Sequence, residues 1–162
     1  MRERAVARME GWAKRGLRER PPGSNVVPEL VTLAARLRVA DSCRAMGYPW
    51  CAFAAFLAAL ACGGRTAAAG LRRGEFNALY VPEVYDAAKA GLFGLAVVDP
   101  TEATRGDLVL FDWPGGDAVD HVGRLRHAIA GGVVATADGN AGDAVTLRER
   151  PLAAVRAIVR DS

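Results

Sequence analysis

The sequence has little histidine, cysteine or lysine, and these shortages exclude several kinds of site. Its 162 residues include two His and three Cys, and Lys occurs only at Lys14 and Lys89. An odd number of cysteines does not indicate a disulfide framework. Cys43, Cys51 and Cys62 also lack the CxxC spacing of structural zinc sites. We therefore expect neither a metal ion nor a cofactor.

Long apolar runs are missing as well. The longest, residues 50–62, is shorter than the roughly 20 apolar residues that cross a bilayer. The N-terminus has basic residues with no apolar segment behind them, unlike a secretory signal. We predict a protein made in the cytoplasm without a signal peptide and without stable membrane insertion. Its net charge of +3 is too small to indicate nucleic acid, although it is compatible with an anionic surface such as a bacterial cell wall.

The two halves of the chain differ in pattern, and together they predict a single α+β domain over residues 1–162. Up to about Gly94 the chain is rich in Ala, Leu and Arg at helical spacing, and from about Arg105 it has short β-branched runs separated by glycine. Helices followed by strands, without βαβ alternation, indicate N-terminal helices packed on a C-terminal antiparallel sheet. The first 20 residues are interpreted as an N-terminal helical extension.

Proline and glycine divide these halves into elements. Helices are predicted over residues 4–17, from Pro28 onward, and over residues 51–60 and 82–90. Strands are predicted over residues 107–113, 121–129, 133–137, 144–147 and 153–159. Residues 114–116 indicate a turn, and Gly131-Gly132 indicates a hairpin turn.

Cys51 is the residue with the clearest chemical position. It follows a proline-containing turn and begins the apolar helix over residues 51–60. Unpaired backbone N–H groups and the positive end of the helix dipole favour a thiolate there, and the same N–H groups can hold an oxyanion. The alternative is a small buried core residue, as most free cysteines are.

A cysteine nucleophile needs an imidazole that exchanges protons with it. His121 opens a predicted strand after a polar, glycine-rich turn, which favours it as the base. His127 would share a face with His121 in an unbroken strand, but it lies mid-strand and is interpreted as structural. The predicted hairpin returns Asp138 and Asn140 beside His121, so either could orient the ring. The alternative is that these two residues are ordinary turn formers.

Four short segments, taken in order, resemble the CHAP family of cysteine amidohydrolases and peptidases, which is related to the NlpC-type family within the papain-like superfamily. They are residues 49–52 (PWCA), 105–113 (RGDLVLFDW), 120–123 (DHVG) and 138–140 (DGN). Residues 21–25 are also similar to the entry segment of endolysin-like members. The resemblance extends from about Leu17 to Val159 and implies a papain-like fold.

The resemblance implies a role for each matching residue. Cys51 corresponds to the nucleophile and His121 to the base, while Asp138 and Asn140 match the acidic and amide positions that polarise the imidazole. The family usually has Glu at the acidic position, and the shorter Asp138 would shift the orienting role toward Asn140.

The residues beside these motifs are the expected substrate contacts. They are Tyr48, Trp50, Trp113 and Asp120. We expect the protein to act as a monomer.

The function that the resemblance implies is hydrolysis of an amide bond in bacterial peptidoglycan. The bond is either the N-acetylmuramoyl-L-alanine link or one within the stem or cross-bridge. A phage-type endolysin released through a holin fits the pattern, and so does an antibacterial effector delivered by a secretion system. Two other classes stay open: a thiol protease or deamidase toxin that acts on proteins, and a wall-binding module with a degenerate site.

Overall fold

A computed structural model describes residues 1–41, 47–112 and 119–162, and in these residues it has the predicted α+β architecture. Five α-helices precede or border the sheet. A π-helical turn, Ala69–Arg73, directly follows the fourth. The helices are α1 (Arg2–Lys14), α2 (Pro28–Arg36), α3 (Cys51–Leu60), α4 (Arg65–Ala68) and α5 (Val81–Lys89).

Six antiparallel strands form one sheet in the order β1-β6-β2-β3-β4-β5. The last strand, β6, therefore lies between β1 and β2. The strand β1 was not predicted from the sequence, since it has only three residues. The strands are β1 (Ala96–Val98), β2 (Leu108–Phe111), β3 (His121–Leu125), β4 (Val133–Asp138), β5 (Thr146–Pro151) and β6 (Val155–Arg160).

Helix α3 lies at the centre of the protein. All ten of its residues are buried, because the segment contains only Cys, Ala, Phe and Leu. It packs against α1 on one side and against β3 and β4 on the other. Burial of this many apolar side chains is the main favourable term in folding. The helix therefore has little freedom to shift, and its first residue is held in a defined place.

The central strands β2 and β3 are buried on both faces of the sheet. Leu108, Leu110 and Val122 belong to the cluster that packs against the helices. Val109 and Leu125 belong to a second cluster on the opposite face. Successive residues of a strand alternate between faces. His121 therefore shares the second face with Leu125 and projects from the end of the strand.

The N-terminal helix α1 packs into the core. Its buried residues include Met9 and Trp12. On its polar side, Glu10 accepts hydrogen bonds from Arg105 at 2.6 Å and from Arg126 at 3.2 Å. These two arginines flank the ends of β2 and β3, so the first helix is joined to the sheet.

A buried ion pair connects helix α3, the sheet and the C-terminus. Arg124 of β3 is fully buried and donates to both carboxylate oxygens of Asp161, at 3.1 and 2.7 Å. It also donates to the carbonyl oxygen of Ala55 in α3 at 3.0 Å and to that of Gly106 at 2.7 Å. A buried guanidinium is tolerated only with this degree of pairing. The sequence pattern did not indicate this pair.

The hairpin between β3 and β4 confirms the predicted glycine turn. Gly131 and Gly132 have φ of 59° and 70°, the left-handed values that a tight hairpin turn requires. Strand β3 ends at Leu125, earlier than predicted, so His127 lies in the loop and is exposed. The predicted turn at 114–116 lies outside the described residues.

Among the described residues, no single helix is long and apolar enough to cross a membrane. One pair, Cys51–Leu60 with Arg65–Arg73, passes on length and composition, but it is bent by 117°. Since α3 is the central core helix, its apolar character is explained by burial within the protein.

Candidate active site

Cys51 is the first residue of α3 and lies at the edge of the core with 4% of its surface exposed. The first N–H that bonds within the helix is that of Ala54, to the carbonyl of Trp50 at 3.0 Å. The N–H groups of Cys51 and its two successors precede it, in the positions where helices leave donors without intrahelical partners. The thiol thus lies beside donors that favour negative charge.

His121 is in contact with this thiol. It begins β3 opposite Phe111 of β2, whose ring lies 5.9 Å from the imidazole. The imidazole is hydrogen-bonded to Cys51 on one side and to Asp138 on the other. Nε2 is the nitrogen that faces Asp138, at 3.1 Å. Nδ1 is the other ring nitrogen, and we expect it to exchange a proton with sulfur.

Asp138 reaches the imidazole despite its short side chain. It ends β4 and is fully buried, opposite Gly123 in the β3–β4 ladder. His121 lies two residues before Gly123 on the same face, so the carboxylate extends diagonally across the glycine. A Cβ at position 123 would overlap Oδ1 of Asp138. The glycine therefore provides the space through which Asp138 contacts His121.

Arg150 extends the chain of contacts beyond Asp138, and the sequence did not reveal it. From β5, its Nη2 lies 2.5 Å from Oδ2 of Asp138, and its Nη1 donates to the hydroxyl of Thr136 at 3.0 Å. The guanidinium is 4.6 Å from the centre of the Phe111 ring. Only the strand register brings Arg150 here, which is why no local motif indicated it.

The charges of these groups are strongly coupled. Burial alone would lower the pKa of His121, but its hydrogen bonds with Asp138 and Cys51 raise that pKa from 6.5 to about 9. Burial alone would raise the pKa of Asp138, yet the bond with His121 and the charge of Arg150 hold it below its usual 3.8. At neutral pH the imidazole is therefore protonated and the carboxylate ionised.

A cavity of about 720 Å³ opens beside Cys51. It has apolar and polar walls and is large enough for a small peptide segment. Two of the predicted substrate contacts, Tyr48 and Asp120, line it. Partial burial raises the pKa of the Asp120 carboxyl above its usual value. The other lining residues are Pro49, Asn77, Leu79, Tyr80, Val81, Pro82 and Val119.

No protein-family model matches this chain, and no curated protein matches its sequence. The chemistry of the site follows from its own atoms. A thiol, an imidazole and a carboxylate in this order form the arrangement in which a base activates a nucleophile and is itself oriented by a third group.

Trp50 does not fit its predicted role as a substrate contact. Its side chain is fully buried, and its indole N–H donates to Oε1 of Glu19 at 2.8 Å. A buried indole with its donor satisfied is a packing residue next to Cys51. The prediction for Trp50 is therefore corrected. Glu19, which the sequence did not single out, is its structural partner.

The remaining predicted residues have different positions. Asn140 follows β4 in a left-handed conformation with φ of 55° and is partly exposed. Of the two candidates for orienting the ring, Asp138 is the one described in a hydrogen bond with Nε2 of His121. His127 is exposed, and its Nδ1 is 3.3 Å from the carbonyl of Ala128, away from the site. Trp113 lies outside the described residues.

Within the described ranges, no group of three or more His, Cys, Asp or Glu side chains is placed to hold a metal ion. The imidazolium of His121, the carboxylate of Asp138 and the guanidinium of Arg150 follow one another with alternating charge. The carboxylate can therefore stabilise a protonated imidazole beside the thiol.

Proposed function

We propose that this protein is a cysteine-dependent hydrolase that cleaves an amide bond in bacterial peptidoglycan. The observation that supports the hydrolase chemistry is the hydrogen-bonded series Cys51–His121–Asp138 beside an open cavity. The choice of peptidoglycan comes from the motif resemblance to CHAP amidohydrolases and peptidases.

The first half of the reaction forms an acyl-thioester. The sulfur of Cys51 attacks the amide carbonyl carbon, and the developing oxyanion is held by the free N–H groups at the start of α3. The C–N bond then breaks as the imidazolium of His121 gives its proton to the leaving amine. The raised pKa of His121 keeps this proton available at neutral pH.

The second half releases the acyl group. Neutral His121 takes a proton from a water molecule as that water attacks the thioester carbon. The C–S bond breaks, and the thiolate of Cys51 and the imidazolium of His121 are restored. Asp138 stabilises the imidazolium in both halves without accepting its proton, the role that an orienting carboxylate has in such sites.

The cavity contributes the substrate contacts. Tyr48 and Asp120 line it together with Cys51, so a stem peptide bound there would lie beside the sulfur. The same cavity accommodates either bond that the resemblance implies, the muramoyl-alanine link or a peptide bond in the stem or cross-bridge.

The test is product analysis on purified sacculi of known cross-link chemistry. Wild-type protein should release new amino groups together with either free muramic-acid lactyl carboxyls or shortened stem peptides, identified by mass spectrometry. Cys51→Ala should reduce the rate by about 10⁴-fold or more while the thermal unfolding curve is retained, since the change removes little volume.

Two controls make the result decisive. Cys62→Ala removes a cysteine outside the cavity and should leave the rate unchanged. A cell-protein extract treated in parallel should remain intact. If proteins are cleaved or deamidated while the sacculi stay intact, the proposed substrate is wrong and the proposed thiol chemistry stands. Wild-type rates in Cys51→Ala would overturn both.

A further inference from the structure

Arg150 and His121 contact the same oxygen atom. Oδ2 of Asp138 lies 2.5 Å from Nη2 of Arg150 and 3.1 Å from Nε2 of His121. Oδ1 of the same carboxylate is buried and has no hydrogen-bond partner. Both cations therefore contact the same carboxylate oxygen, Oδ2, and neither is hydrogen-bonded to Oδ1.

The carboxylate cannot easily rearrange to separate the two cations. It is fully buried and passes over Gly123 so closely that a Cβ there would overlap Oδ1. Arg150 is fixed as well, since Thr136 accepts from its Nη1 at 3.0 Å and the Phe111 ring lies 4.6 Å from its guanidinium carbon.

We propose that Arg150 is a positioning residue that sets the strength with which Asp138 holds the proton on His121. By occupying Oδ2, the guanidinium withdraws part of the carboxylate's negative charge from the imidazolium. Its own positive charge, within a few ångströms, also opposes protonation of the ring. Both effects weaken the binding of the proton to the imidazole, so that His121 can release this proton to a leaving group.

Each of the other charged groups around His121 has a known effect on the protonation of its ring. Cys51 of α3 and Asp138 of β4 favour the imidazolium through hydrogen bonds and charge, while burial opposes it. Asp120, the preceding residue in the chain, interacts with His121 as an opposite charge. Arg150 of β5 is the cation in this set, so its removal has a predictable sign.

The inference rests on the proposed function for its consequence in catalysis, but its central measurement does not need activity. The chain has two histidines, and His127 is exposed in a loop away from the site. An NMR titration of histidine-labelled protein therefore gives two curves, with His127 as the internal reference. Arg150→Met should raise the pKa of His121 by about one unit or more and leave that of His127 unchanged.

Two variants control for a structural effect. Arg148→Met removes an arginine from the same strand at an exposed position and should leave the pKa of His121 unchanged. Arg150→Lys keeps the positive charge and should produce a smaller rise than Arg150→Met. An unchanged or lowered pKa in Arg150→Met, or equal rises in the Lys and Met variants, would overturn the proposal.

Kinetics separates this proposal from the proposed function. If the protein hydrolyses sacculi, the alkaline limb of kcat/KM should move upward in Arg150→Met by the same amount as the NMR titration, with a lower kcat. If the wild-type protein cleaves no sacculus amide while the NMR shift is still observed, the function fails and the role of Arg150 at His121 stands.

Discussion

Gly123 and Asp138 are directly paired across strands β3 and β4, and the absence of a side chain at Gly123 is what lets the Asp138 carboxylate reach His121. The family that the motifs resemble usually has Glu at the acidic position. Here the shorter Asp138 makes the contact because it extends directly over the glycine. The contact of Asp138 with His121 therefore depends on the glycine at position 123.

Replacing Gly123 with Ala should disable the site. The new methyl group would overlap Oδ1 of Asp138 and displace the carboxylate from the imidazole. We expect hydrolysis to fall by about 100-fold or more, and the pKa of His121 to fall from about 9 toward 6.5, measured by NMR titration.

Gly11→Ala is the matched control. Gly11 is inside α1, and an added Cβ would meet only the end of the Arg15 side chain at 3.6 Å. This change should stabilise the protein by roughly 0.5–1 kcal/mol and leave activity unchanged. Wild-type activity in Gly123→Ala would contradict the proposed path of the Asp138 side chain.

If the proposed mechanism holds, activity should decline on the alkaline side of about pH 9, since the imidazolium that would protonate the leaving amine then loses its proton. Asp138→Asn removes the negative partner of His121, so the decline should begin at lower pH. The measurement is kcat/KM between about pH 6 and about pH 10 for both proteins. Identical profiles would mean that another group controls the alkaline limb.

Stability should depend on pH through the same residue. The folded pKa of His121 is about 9, above the ordinary 6.5 of the unfolded chain. The folded protein therefore holds the proton more tightly, and this stabilisation is complete below about pH 6.5 and disappears as the pH rises through 9. Denaturant unfolding should show a loss of at most about 3 kcal/mol over that range. The loss should be absent in His121→Ala.

Substitutions at Trp50 and Tyr48 should have opposite effects on stability and substrate binding. Trp50→Phe leaves Glu19 without its indole donor in a buried place, so we expect destabilisation by about 1–3 kcal/mol and little change in KM. Tyr48→Ala removes part of the cavity wall and should raise KM with a smaller loss of stability. A raised KM with unchanged stability in Trp50→Phe would restore its predicted substrate contact.

The buried pair Arg124 and Asp161 should be costly to break from one side. Asp161→Asn leaves a buried guanidinium without its counter-charge, and we expect a loss of about 3–5 kcal/mol in the free energy of unfolding. The double variant Arg124→Met with Asp161→Leu should lose less than the sum of the two single variants. Additive losses in this cycle would show that the two side chains do not stabilise each other.

Local patterns predicted the elements well where a single segment carried enough information. The helix over residues 51–60 has the predicted bounds because every residue in it is apolar and glycines follow it. The two glycines at the β3–β4 turn require left-handed φ values, so that hairpin was also predictable. The short β1 and the early end of β3 were not, since their residues pair with distant strands.

The site residues also include some whose position the local sequence indicated and one whose identity it left open. Cys51 was predictable because its own neighbours place it at a helix start, and His121 because it opens a strand after a polar turn. The partner of His121 was left open between Asp138 and Asn140. The strand register, which places Gly123 beneath the carboxylate, puts Asp138 on the ring.

By itself, the sequence determined the α+β class, the buried helix that begins at Cys51 and the strand that begins at His121. Each of these depends on a periodicity or a turn within about 20 consecutive residues. The tertiary structure decided the burial of Trp50 against Glu19, the Arg124–Asp161 pair and the contact of Arg150 with Asp138. Those outcomes depend on which distant segments become neighbours, and hydrogen bonds and charges between such segments have no signature in local sequence.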